Sequence, residues 1–151
     1  MSTDISIVYL KKFNERFTQL CAYFRTLVPD MKELILVEDA IDFCVHRGNP
    51  EIPISLFYKN LIKFKEDIMK EDDRLFEENI IMSELNKALA NNKDIIGDKY
   101  NNVLTEKETV IRENIQRAKS IWTGLTDGER KKIWTMVQVL LKLSEKYAEK
   151  R

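Results

Sequence analysis

Histidine, cysteine, glycine and proline are scarce in this chain: its 151 residues include one His, two Cys, four Gly and three Pro. Each shortage excludes something. The glycines, at 48, 97, 124 and 128, are too scattered to build a Walker loop or a dinucleotide-binding fingerprint, both of which need clustered glycine to bring backbone N–H groups to phosphate. Zinc requires three or four convergent ligands, and Cys44 and His46, two apart on one predicted helix, point in different directions. His46 instead reads as a histidine at a helix C-terminus, where positive charge is favoured. Paired carboxylates occur only as Asp72-Asp73 and Glu77-Glu78, without the apolar wall or histidine that would set their two pKa values apart. No catalytic residue, cofactor site or metal site is assigned, so the reading is of a protein that is not an enzyme.

Net charge is also missing, because 25 basic and 25 acidic residues cancel. That removes the broad positive field of a dedicated nucleic-acid or anionic-membrane binder and leaves only local patches. No apolar run approaches the roughly 20 residues of a membrane span, and Met1-Ser2-Thr3-Asp4 lacks a basic region followed by an apolar one. The expectation is a protein that is neither secreted nor inserted in a membrane. Cys21 and Cys44 then read as buried free thiols. On antiparallel helices turning near Pro29 they would be offset by roughly 10 Å, beyond disulfide reach.

What is present is helical patterning. Hydrophobic residues make up 44% and charged residues 33%, the composition of a folded helix-rich domain. The first helix is predicted over about Asp4 to Leu27, where Tyr9, Phe13, Phe17, Leu20, Phe24 and Leu27 recur every three or four positions. Val28-Pro29-Asp30 breaks it, and Asp30 with Glu33 forms a capping pair for the second. Leu34, Val37, Ile41, Cys44 and Val45 make the buried side of that helix, which ends near Arg47 with Gly48 expected at positive φ. Pro53 suits the first turn of the third helix, whose stripe is Phe57, Leu61, Phe64 and Ile68.

The middle, about 72–104, is less regular: Leu75-Phe76 and Ile80-Ile81-Met82 offer apolar anchors, and Leu85 and Leu89 suggest a short helix from Ser83 to about Ala90. Asn91-Asn92-Lys93-Asp94 through Asn101-Asn102 then read as a loop. A fifth helix starts at a Thr105–Glu108 capping box and carries Ile111, Ile115, Ala118, Trp122 and Leu125. A second box, Thr126–Glu129, opens a sixth with Ile133, Trp134, Val137, Leu140, Leu141 and Tyr147 on one side; Met136, Val139 and Leu143 widen its apolar surface. So short a connection makes these two helices antiparallel or steeply crossed neighbours, with Trp122 and Trp134 seating one against the other. The fold class is all-α: one domain, 1–151, a bundle of about five to six helices.

Two charged surfaces stand out. Glu66, Asp67, Glu71, Asp72, Asp73, Glu77 and Glu78 form an acidic patch suited to a basic partner. Arg130, Lys131 and Lys132 lie near a helix N-terminus, where the macrodipole disfavours cations; with Arg117 and Lys119 they form a basic corner suited to phosphate or an acidic protein face. The opposite patches also offer a route to self-association.

The order Phe13-Asn14-Glu15, Val28-Pro29-Asp30, Gly48-Asn49-Pro50, Asp72-Asp73-Arg74-Leu75-Phe76, Ile121-Trp122, Leu125-Thr126 and Ile133-Trp134 through Ser144 resembles small helical proteins of nucleocytoplasmic large DNA viruses. The shared positions are caps, turns and core residues, so the resemblance transfers no catalytic or binding residue. It implies a viral protein of the host cytoplasm or the virion, associating with viral or host proteins. The expected function is therefore a protein–protein interaction or virion-associated module. The alternative is an auxiliary nucleic-acid-binding protein using the basic corner at 117–132.

Overall fold

A computed structural model describes residues 5–29, 32–91 and 108–150. Among them the fold is all-α, without strands: α1 (Ile5–Leu27), α2 (Lys32–His46), α3 (Ile52–Leu61), a 3-10 turn (Ile62–Phe64), α4 (Lys65–Met69), α5 (Arg74–Glu77), α6 (Ile80–Asn91), α7 (Glu108–Gly124) and α8 (Asp127–Glu149). The Asp30–Glu33 pair, the loop expected after Asn91 and the Thr105–Glu108 box lie outside the described residues. So do the side chains of Leu34, Val37, Met82, Leu85, Leu89, Ile111 and Ile115.

α8 is the hub. Its backbone packs against α1, α3 and α4, and Ile133, Trp134, Val137, Leu140, Leu141, Ser144 and Tyr147 are buried along it. Ser144, fully buried, satisfies its hydroxyl by donating to the Leu141 carbonyl at 2.7 Å, as an interior polar group must. α1 and α8 are antiparallel, since Lys132 lies over the Tyr23 ring at 4.2 Å while Lys146 lies over Tyr9 at 5.8 Å. On α1 the expected stripe is inward: Phe13, Phe17 and Leu20 are buried, with Tyr9, Phe24 and Leu27 partly so. Phe13, Phe17 and Phe57 meet pairwise edge to face, with centroids 5.3 to 5.9 Å apart, the arrangement the ring quadrupole prefers.

The third predicted helix is divided. Leu61 and Phe64 adopt φ near −100° with ψ near zero, and the 3-10 turn between them redirects the chain while Ile68 stays fully buried. Pro53 occupies the first turn of α3, as expected. α4 then ends in a Schellman motif: Asp72 N–H donates to the Asp67 carbonyl, Glu71 N–H to Ile68, and Glu71 itself sits at φ 57°. Asn79, at φ 55°, reverses the chain between α5 and α6, a conformation asparagine tolerates better than most residues. That reversal starts α6 at Ile80 rather than Ser83.

Gly48 corrects an expectation. Its φ is not in the positive region; α2 instead ends with the Arg47 and Gly48 N–H groups both donating to the Phe43 carbonyl. Glycine is suited here by close approach, because a Cβ would lie 3.3 Å from Phe43 Cε1. The Thr126–Glu129 box is present as expected, with Glu129 N–H donating to Thr126 Oγ1 at 3.1 Å and Thr126 N–H to Glu129 Oε1 at 2.8 Å. α7 takes α5 as its main backbone neighbour, and it meets α8 through the edge-to-face contact of Trp122 with Trp134.

Candidate functional site

The basic corner and the acidic run meet through Lys131 and Glu71. α8 sets Lys131 against α4's end, where its ammonium pairs with Glu71 Oε2 at 2.5 Å, and Gln138 Nε2 donates to the Ile68 carbonyl at 3.1 Å. Trp134 Nε1 donates to Asp73 Oδ1 at 3.4 Å from the next turn of the same face. Arg130 folds back over the α7–α8 turn, its Nη2 donating to the Leu125 carbonyl at 2.8 Å and to Asp127 at 3.3 Å. Lys132 stacks on Tyr23. Thus Arg130, Lys131 and Lys132 each hold an intramolecular partner, and the unfavourable macrodipole placement is offset by these contacts and by Asp127 and Glu129 in the first turn. Arg117 and Lys119 are exposed on α7, within its last two turns.

Of the acidic residues, Asp72 is held by Arg74, which donates to it through Nε, Nη2 and its backbone N–H. That hydrogen bonding holds the Asp72 carboxyl below its ordinary range and the Arg74 guanidinium above its own. Glu66, Asp67, Glu77 and Glu78 flank this pair, Glu66 and Glu78 exposed.

A different surface has the shape of a binding site. α1 and α2 run antiparallel, as Arg25 paired with Glu38 at 3.1 Å and Asn14 Nδ2 donating to the Pro50 carbonyl at 3.1 Å fix them at two heights. Between them lies a half-open groove of about 900 Å³ that mixes apolar residues, Ile7, Leu10, Ile41 and Val45 among them, with a larger number of polar and charged ones. Ile5, Ile7 and Val8, roughly 40 to 50% exposed, stand at the N-terminal end of α1, and Ile7 lines the groove. The α2 edge carries Glu38, Asp39 and Asp42; the α1 edge carries Lys11, Glu15 and Arg25. Among the described residues, Glu15 and Asp39 make no ion pair, and Asp42 pairs only with the exposed His46, at 3.4 Å.

The stripe logic that finds a core face overlooks this groove. Its signal in the sequence is a second stripe on α1, Ile7, Lys11, Asn14, Thr18, Cys21 and Arg25, which follows the same three-four spacing but mixes polar with apolar residues. Cys21 and Cys44 are both buried and unbridged. Burial, assisted by nearby Glu38, pushes the Cys21 thiol up to about 12, and burial also raises Cys44. His46 is exposed while Cys44 is buried, so the two diverge, and among the described residues no three His, Cys, Asp or Glu side chains converge as metal ligands do. Among those residues no helix is long and apolar enough to cross a membrane.

Comparison with known proteins adds no relative: no family model matches the chain, and neither does any curated protein or solved structure.

Proposed function

We propose that this chain is a non-enzymatic helical module that binds another protein through the α1–α2 groove. The observation that carries the reading is the groove itself, a concavity beside α1 and α2 where partly exposed Ile7 and Val45 meet a charged rim, with Ile5 and Val8 also exposed on the first turn of α1. A folded chain that leaves contiguous apolar side chains in water bears a cost that a partner removes on binding. The viral setting, in host cytoplasm or virion, rests on the resemblance of caps and core positions alone.

Affinity purification with the intact chain and with Ile7→Glu, read by mass spectrometry, tests the reading. The expected result is a partner held by the intact chain and by a Glu66→Lys/Glu78→Lys variant and lost with Ile7→Glu. An unchanged set of partners across all three defeats the groove as the binding surface.

Nucleic-acid binding through the basic corner is the weaker reading, because Arg130, Lys131 and Lys132 are engaged within the molecule. Phosphate binding would fall steeply with salt. Absence of binding to duplex or single-stranded DNA or RNA at low salt removes it.

A further inference from the structure

We infer that the outer face of the seam between α1 and α8 is a docking surface for an anionic phospholipid membrane. It lies on the flank of α1 away from Ile7, so it is independent of the proposed protein-binding groove.

The face is built in register. Lys132 stands over the Tyr23 ring and Lys146 over the Tyr9 ring, and the two contacts are fourteen residues apart on each helix. The antiparallel helices therefore run level between them. On α1 the stripe along the seam is Tyr9, Lys12, Arg16 and Tyr23, at spacings of three, four and seven. On α8 it is Lys132, Met136, Val139, Leu143 and Lys146, at spacings of three and four, with Lys150 one turn further at the C-cap. The shared register sets Arg16 beside Val139 and Lys12 beside Leu143. Cations and apolar groups are thus interleaved along roughly 21 Å of seam, from one lysine–tyrosine contact to the other.

Unopposed charge sets this face apart. The chain has no net charge, and Arg25, Lys63, Lys65 and Lys131 each hold a carboxylate partner. Among the described residues Lys12, Arg16, Lys132, Lys146 and Lys150, all exposed, form no ion pair. Arg16 donates to Gln19 at 3.4 Å, and a tyrosine face attracts an ammonium without cancelling its charge. From Tyr9 to Tyr23 and from Lys132 to Lys150 neither stripe includes an acid. Glu129, one turn before Lys132, is committed to the Thr126 cap, and Glu145 is turned to Lys65 on α4.

Apolar content selects a membrane over other polyanions. Val139 is 37% exposed, and Tyr9, Tyr23, Met136 and Leu143 are only partly buried. The phosphates of a nucleic acid would meet the cations and leave those aliphatic groups in water. An acidic protein meets both only where its carboxylates and apolar groups repeat in the same order. An anionic bilayer offers headgroup charge and acyl boundary at every point, tyrosine suits that depth, and lysine stems lie on apolar surface with their charges among the headgroups. Each lysine or arginine near such a surface contributes about fivefold in affinity.

The test is cosedimentation of the full chain with phosphatidylcholine vesicles, with and without phosphatidylserine, in physiological salt. The expected result is binding only with phosphatidylserine, weakened roughly twenty-five-fold by Lys12→Gln/Lys146→Gln. Val139→Asn, which changes no charge, is expected to weaken it severalfold. Lys63→Gln/Lys87→Gln, an equal loss of charge on another face, is expected to weaken it by no more than about threefold because distant charges are screened. Circular dichroism of each variant should match the native chain. Equal weakening by the two lysine pairs reduces the effect to net charge and overturns the inference. Val139→Asn without effect leaves charge attraction alone and overturns it too. So does binding that ignores phosphatidylserine, or none to either vesicle. Binding to labelled duplex or single-stranded DNA tighter than to vesicles assigns the face to nucleic acid instead. A protein captured by the intact chain and lost with Lys12→Gln/Lys146→Gln, when vesicles do not bind, assigns it to an acidic partner.

Discussion

The Phe76 ring lies parallel to the Trp122 indole, 4.3 Å between centroids and 13° between planes, and meets Trp134 edge-on at 4.9 Å. The two tryptophans also touch directly, at 5.8 Å and 82°. The corner between α7 and α8 is thus a three-ring cluster, and its third member comes from the four-residue helix α5. α5 is held in place by what its side chains bury rather than by its own length. Among the described residues Trp122 Nε1 has no acceptor, and the ring is held by its packing against Phe76 and Trp134.

Phe76→Ala removes the shared ring and leaves a cavity between two indoles. The expected loss is roughly 3–5 kcal/mol of stability, as for other buried phenylalanines. Urea unfolding followed by tryptophan fluorescence measures it, and a loss below about 1 kcal/mol would mean that the indoles close over the gap.

Glu71 sits in the left-handed region that costs a non-glycine residue roughly 1–2 kcal/mol. Its carboxylate pairs with Lys131, a partly exposed bridge worth roughly 0–1 kcal/mol. Glu71→Gly relieves the backbone while losing the bridge, and Glu71→Ala only loses the bridge. The glycine variant is expected to be the more stable of the two by about 1 kcal/mol in urea melts. Equal midpoints would contradict a strained Schellman residue.

Thr126 caps α8, the helix on which the whole core rests. Thr126→Ala is expected to cost about 1 kcal/mol, and Thr126→Ser much less, because the hydroxyl that accepts from Glu129 N–H is retained. Thermal melts of the two variants decide it.

The Cys21 thiol, raised from 9.0 to about 12 in the folded chain, links stability to alkaline pH. The neutral thiol is favoured by folding, so its contribution is complete below pH 9 and is lost as pH rises from 9 toward 12, where the unfolded chain ionises first. Cys44, shifted the same way, adds to the slope. Cys21→Ala is expected to flatten the fall in stability over that window, and in the native chain Cys21 should label with a thiol reagent far more slowly than after unfolding. An identical alkaline slope with and without the thiol would exclude this linkage.

The apolar stripes of α1 and α8, Pro53 in a first turn and the Thr126–Glu129 box were legible because each depends on spacing of three or four residues along one helix. The division of the third helix and the start of α6 were not. Both depend on local φ values at Leu61, Phe64 and Asn79 that the surrounding packing selects. The charged patches were visible as residues, but not as partners, since Lys131 and Glu71 are sixty positions apart.

By itself the sequence determined that this protein is an all-α fold, which faces of α1 and α8 are buried and that Thr126 and Glu129 cap α8, because periodicity and capping are local properties of the chain. Tertiary structure alone decided that Lys131 faces Glu71, that Phe76 completes the tryptophan corner, and that α1 and α2 part to leave a groove edged by Asp39 and Asp42. The physical reason is that charge pairing, ring stacking and concavity depend on distances between elements, and no one-dimensional spacing encodes those.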